Sequence, residues 1–139
     1  MKLYKFLIAA IILFAAVATQ AQVAVIANKS VSESSVSMSK LTDIYFLRAK
    51  AWGNGSSIVP VTLKSDNETV QKLFSAMGKS SMEMKKLWMK LQLTGEGQPP
   101  VGVGSEEEVL SKVASTPGAI GFISADKVNG SIKVLLTIK

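Results

Sequence analysis

Apolar positions along this chain follow two rhythms, and their alternation predicts the elements. Val23–Ala27 is an unbroken apolar run ending at Asn28, which reads as a first strand. Lys29–Ser37 is polar and serine-rich, a loop. Ser39 is placed to cap a helix over Lys40–Leu47, with Leu41, Ile44 and Tyr45 inward. Ala51-Trp52-Gly53-Asn54-Gly55 turns the chain, and Ile58–Leu63 reads as a second strand, its Pro60 near an edge or an irregularity. Val70, Leu73, Phe74 and Met77 then recur at helical spacing, as do Met84, Leu87, Trp88 and Leu91, with Gly78 between the two helices. Thr94–Pro100 is a Gly/Pro loop.

The clearest stretch is Ser105–Ser124. Ser105 is an N-cap with Glu108 three residues on, the pattern of a capping box, and Glu106–Glu108 put negative charge where the helix dipole favours it. Val109, Leu110 and Val113 form the apolar stripe, and Pro117-Gly118 stops the helix. Ala119–Ile123 follows as a strand buried on both faces, with Gly118 and Gly121 marking close backbone approach. Asn129-Gly130 is a hairpin-type turn into a last strand over Ile132–Ile138. Strands alternating with helices predict an α/β domain, a mixed sheet flanked by helices.

Composition narrows the setting. Lys2 and Lys5, an apolar Phe6–Ala18 and a small-residue Thr19-Gln20-Ala21 make residues 1–21 a signal peptide in expectation, cleaved near Ala21. That apolar run is shorter than the ~20 residues of a spanning helix. The expected mature chain, residues 22–139, is a single exported domain in the periplasm, with no cysteine to carry a lipid. The chain has neither histidine nor cysteine, which removes the ordinary zinc site, the thiol nucleophile and the Ser-His-Asp triad. Cofactors and enzymatic activity are therefore not expected. The formal charge of +6 falls to +4 once Lys2 and Lys5 leave, a mild balance that suits an anionic ligand or surface.

Candidate chemistry concentrates after the second strand, where Lys64-Ser65-Asp66-Asn67-Glu68-Thr69 leads into a helix. Helix N-termini beyond strand carboxyl ends offer N–H groups to anions. Lys64 would add charge, and Ser65, Asn67 and Thr69 hydroxyl or amide donors; the same residues also suit a plain N-cap. Ser37-Met38-Ser39-Lys40 and Ser65-Asp66-Asn67 match motifs of penicillin-recognising serine enzymes, but the Lys-Thr-Gly strand is missing. Lys72, Lys79, Lys85, Lys86 and Lys90 read as a solvated helix face, so no nucleic-acid partner is expected. Trp52 and Trp88 read as packing residues. Gly95-Glu96-Gly97 is no dinucleotide fingerprint, and the Asn-x-Ser/Thr sequons at Asn28, Asn54, Asn67 and Asn129 mark polar loops.

TPGAIGF at 116–122, with TGEGQPP at 94–100 and the EEEVL helix between them, resembles the periplasmic phosphate-binding-protein-like family in its short single-lobe form. The resemblance runs from about Val23 to Ser124 and includes Asp43–Leu47 through Trp52 to Gly55, where Arg48-Ala49 replaces the family's usual Gly-Lys. It implies a transport-linked protein that binds phosphate or a similar small anion. It places the site at Lys64–Thr69, and extends it to Asn28 and Ser30 on the loop after the first strand. Phosphate-binding relatives carry an Arg and a Ser-Gly-Thr-Arg-like run in the main loop, where this chain has Ser-Asp-Asn-Glu-Thr. A full binding protein closes two lobes on its ligand; a homodimer would supply the second here. The alternative expectation is an envelope interaction domain that keeps the fold without the ligand.

Overall fold

The apolar run after Pro117-Gly118 becomes the middle strand of a five-stranded sheet. The computed structural model describes residues 21–139, so the expected leader, all but its last residue, lies outside the described residues. The strands are β1 (Val23–Ala27), β2 (Val59–Leu63), β3 (Val101–Val103), β4 (Ala119–Ser124) and β5 (Lys133–Ile138). Four helices connect them: α1 (Met38–Tyr45), α2 (Glu68–Ala76), α3 (Ser81–Leu93) and α4 (Glu106–Ser115). The sheet order is β3-β2-β4-β1-β5. β2 runs parallel to both β3 and β4, whereas β1 is antiparallel to β4 and β5. This is the mixed, helix-flanked sheet of the expected α/β class.

β4 shows how the layers meet. Gly121 faces α4, where a Cβ atom would stand 2.7 Å from a Val109 methyl and 3.0 Å from one of Val113. Side chains alternate along a strand, so Phe122 points the other way. There its ring meets Tyr45 of α1 edge-on at 5.8 Å and Phe74 of α2 at 6.1 Å. Phe74 in turn meets Trp88 of α3 at 5.8 Å. One helix thus covers one face and three cover the other. Burying each aromatic ring contributes about 2 kcal/mol, which makes this cluster the main apolar anchor of the three-helix face.

Helix ends account for several local departures from expectation. α1 begins two residues earlier than its periodicity predicts, because Ser37, not Ser39, accepts from Lys40 N–H at 3.1 Å. It ends with Leu47 at φ +62°, a left-handed residue buried against the core. Ser80 and Glu83 close a reciprocal capping box on α3. Ser105 caps α4 as expected, but the Glu108 carboxylate turns back to Gly104 N–H at 3.0 Å, so the box is only half formed.

One strand joins those expected, and one expectation is corrected. The Gly/Pro loop runs into β3, a three-residue strand too short to show a period. Asn129-Gly130 does not make a hairpin, because β1 occupies the place beside β4 and β5 pairs with β1 instead. The Asn129 carboxamide oxygen accepts from Ser131 N–H at 2.9 Å, giving a side-chain-closed turn in a crossover.

Gly118 sits at φ +77°, and a Cβ there would lie 2.2 Å from the Ser57 carbonyl oxygen. Gly118→Ala should cost more than about 2 kcal/mol in urea unfolding, since left-handed strain alone is ~1–2; a loss under ~1 would contradict the close approach. Thr62 is 5% exposed, and its hydroxyl has no hydrogen-bond partner among the described residues. Thr62→Val should therefore raise stability by up to about 1 kcal/mol. A lowered unfolding midpoint would show that the hydroxyl is satisfied.

Candidate functional site at the carboxyl edge of the sheet

Because β2, β3 and β4 are parallel, their carboxyl ends share one edge. α2 starts there after β2 and α4 after β3. Open α/β sheets take ligands at such an edge. Lys64 and Ser65 are exposed at this edge, and the Lys64 stem crosses Gly102, where a Cβ would be 3.0 Å from it. Asn67 is spent as the α2 cap, accepting from Val70 N–H at 2.9 Å. The Ser81 hydroxyl donates to Asp66 at 2.6 Å, which fastens the start of α2 to the first turn of α3. Thr69 donates its hydroxyl to Glu106 at 3.1 Å.

Asn28 and Ser30 do not join them. β1 runs against β4, with Ala27 opposite Ile120 and Val23 opposite Ser124, so the loop after β1 emerges where β2 and β4 begin. Four residue steps of ~3.3 Å put it roughly 13 Å from the carboxyl edge. The expectation that both loops line one edge fails on strand direction. Asn28 instead donates both amide hydrogens to α4, to Val113 O at 2.8 Å and Ala114 O at 3.0 Å. Its own oxygen accepts from Ser30 N–H, and the Ser30 hydroxyl accepts from Gly118 N–H at 3.0 Å.

Three residues that sequence reasoning missed complete the edge. The Glu106 carboxylate is 11% exposed and receives three donors. Thr69 O–H and Ser124 N–H converge on Oε1, the latter at 2.6 Å, while Lys127 Nζ reaches Oε2 at 3.1 Å. Lys127 also pairs with Glu107 at 3.0 Å. Glu106 was legible only as a helix-dipole carboxylate; its partners lie 37 and 18 residues away. Chemically the cluster is a carboxylate of the chain itself neutralised by three donors from α2, β4 and the turn after it.

The remaining candidates resolve as structure. The Ser-x-x-Lys match is the spacing of the α1 cap. Trp52 donates its indole N–H to Gly118 O at 2.9 Å and Trp88 to Tyr45 O at 2.7 Å. A groove of about 490 Å³ lies at the amino end of β2, lined by Leu47, Lys50, Ile58, Pro60, Gly97 and Val101. It is apart from the Glu106 cluster.

The order of strands and the position of this edge define the class: a single lobe of the periplasmic-binding-protein-like α/β fold. Solved structures share it. An ABC-type phosphate transport receptor from Vibrio cholerae superposes with TM-score 0.66 at 21% identity, covering 83% of this chain and 45% of the receptor. A putative phosphate ABC transporter substrate-binding protein with bound phosphate from Clostridium perfringens gives 0.66 at 20%, over 83% of this chain and 44% of that one. PstS from Borrelia burgdorferi gives 0.62 at 17%, over 83% and 46%. At these identities the likeness is one of fold, and the chain spans less than half the length of these receptors. No protein-family model matches the sequence, and no curated protein matches it.

Hydrogen bonds to Glu107 and then Glu106 push the Lys127 ammonium above its ordinary value. The backbone N–H of Glu107, and then Lys127, hold the Glu107 carboxyl below its ordinary value. A raised lysine stabilises below its unfolded pKa of 10.5 and loses that contribution as pH climbs through the folded value. A depressed glutamate stabilises above 4.5 and loses it as pH falls through the folded value. Lys127→Ala should therefore melt below the native chain at pH 7, with the gap closing well below pH 4.5 and above pH 10.5. A gap of constant size across that range would show that the pairing contributes nothing.

Proposed function

We propose that this chain is an exported, non-enzymatic domain that keeps the fold of a solute-binding lobe and works by docking in the cell envelope. The observation that carries this reading is the Glu106 carboxylate on Thr69, Ser124 and Lys127. The donors that would neutralise a bound anion already neutralise a charge of the chain. Asp66 and Glu68 add two more acids at the start of α2, so a phosphate arriving there meets repulsion as well as spent donors. Export rests on the charged, apolar and small-residue order of residues 1–21, with the mature domain beginning near Gln22 in the periplasm.

A second reading keeps phosphate or a similar small anion as ligand and makes the chain a transport-linked binding component. Lys64 and Ser65, exposed at the same edge as the α2 N-terminus, favour it, on a fold shared with receptors named for phosphate. NMR titration separates the two. With phosphate up to tens of millimolar, the amides of Ser65–Val70 and of Ser124 should stay in place; saturable shifts there would establish the second reading and overturn the first. Glu106→Ala should lose about 1.5–3 kcal/mol, the scale of hydrogen bonds to a charged group. Acetate or phosphate should restore part of that loss in the variant while leaving the native chain unchanged.

A further inference from the structure

The outward face of α3 carries an apolar stripe that the inward one does not explain. Met84 and Trp88 point into the core, yet Met82, Met89 and Leu93 are 66%, 61% and 81% exposed. At 100° per residue these three project within about 40° of one another. Lys85 flanks them on one side, Lys86 and Lys90 on the other. None of these lysines pairs with an acid among the described residues. The one acid on the helix, Glu83, is held by Ser80 and Lys79. Residues 68–93 carry five lysines against two glutamates, whereas the whole chain has sixteen basic against ten acidic side chains.

We propose that this face of α3 docks on an anionic phospholipid surface. The proposal rests on the reading of the chain as a docking domain and names its partner. A narrow apolar stripe between rows of unpaired cations matches a bilayer interface, with Met and Leu among the acyl chains and lysines reaching outward to the head groups. The stripe stands on a single convex helix. A stable protein partner would bury about 800 Å² on each side and would need a complementary groove, whereas lipid needs no matching shape.

The full chain contains no cysteine, so one can be placed at will. Met89→Cys and, as a control on the opposite face of the sheet, Lys112→Cys are each labelled with an environment-sensitive nitrobenzoxadiazole dye. With vesicles containing phosphatidylglycerol, the dye at 89 should shift to the blue and brighten several-fold; the dye at 112 should not. Pure phosphatidylcholine should leave both unchanged. Replacing Lys85, Lys86 and Lys90 with Glu should weaken the response at least about a hundredfold, at roughly fivefold per lysine near an anionic surface. A dye at 89 that stays in water while the protein sediments with vesicles would place the contact elsewhere on the chain and overturn the proposal. An equal response to neutral lipid, or a response only to an acidic protein, would overturn it too. Phosphate shifts at the carboxyl edge together with dye insertion would sink the functional reading alone. Phosphate silence with no insertion would sink this proposal alone.

Discussion

Gly118 is the point through which the ends of three strands are tied. Its carbonyl accepts from the Trp52 indole at 2.9 Å and from Val59 N–H at 3.1 Å, while its own N–H donates to Ser30. No side chain fits between it and Ser57. The start of β2, the turn at Trp52 and the loop after β1 therefore meet at one left-handed residue that only glycine adopts without strain. Asn28 closes the corner by donating to the last carbonyls of α4, which would otherwise be buried without partners. Once this corner is made, β4 emerges in register between β2 and β1.

This corner divides the polar residues of the two sheet ends into separate tasks. At the amino end of β4, Asn28, Ser30 and Trp52 are consumed in backbone hydrogen bonds, and their chemistry is structural. At the carboxyl end the sheet has no comparable closure, and charge collects there instead. Glu106 takes the hydroxyl of α2, the last amide of β4 and the ammonium beyond it. One carboxylate thus ties α2, α4 and the end of β4 together, much as a bound anion would.

Much of the fold was legible because its signals are local. Val23–Ala27 and Ala119–Ile123 announce buried strands by composition, and Gly118 and Gly121 announce close approach by having no side chain. What could not be read depends on direction and distance. An unbroken apolar run has no polarity, so nothing in VAVIA says that β1 runs against β4, and with that unknown Asn28 and Ser30 went to the wrong edge. β3 is three residues long and shows no period. Asn129-Gly130 carries a hairpin signal that the tertiary arrangement overrides. On α3 the inward stripe at Met84 and Trp88 satisfied the helical pattern and hid the second stripe at Met82, Met89 and Leu93.

The placement of charge separates the two ends of the molecule's chemistry further. Asp66, Glu68, Glu106, Glu107, Glu108 and Asp126 crowd around the carboxyl edge, where Lys64 and Lys127 answer them. The lysines of α3 stand on the outward side of that helix, where Lys85, Lys86 and Lys90 pair with no acid among the described residues. A point anion finds no cradle on that convex face, but an extended anionic surface can contact several lysines at once and accept the apolar stripe between them. On that argument rests the proposal that a lobe built like a receptor works by docking rather than capture.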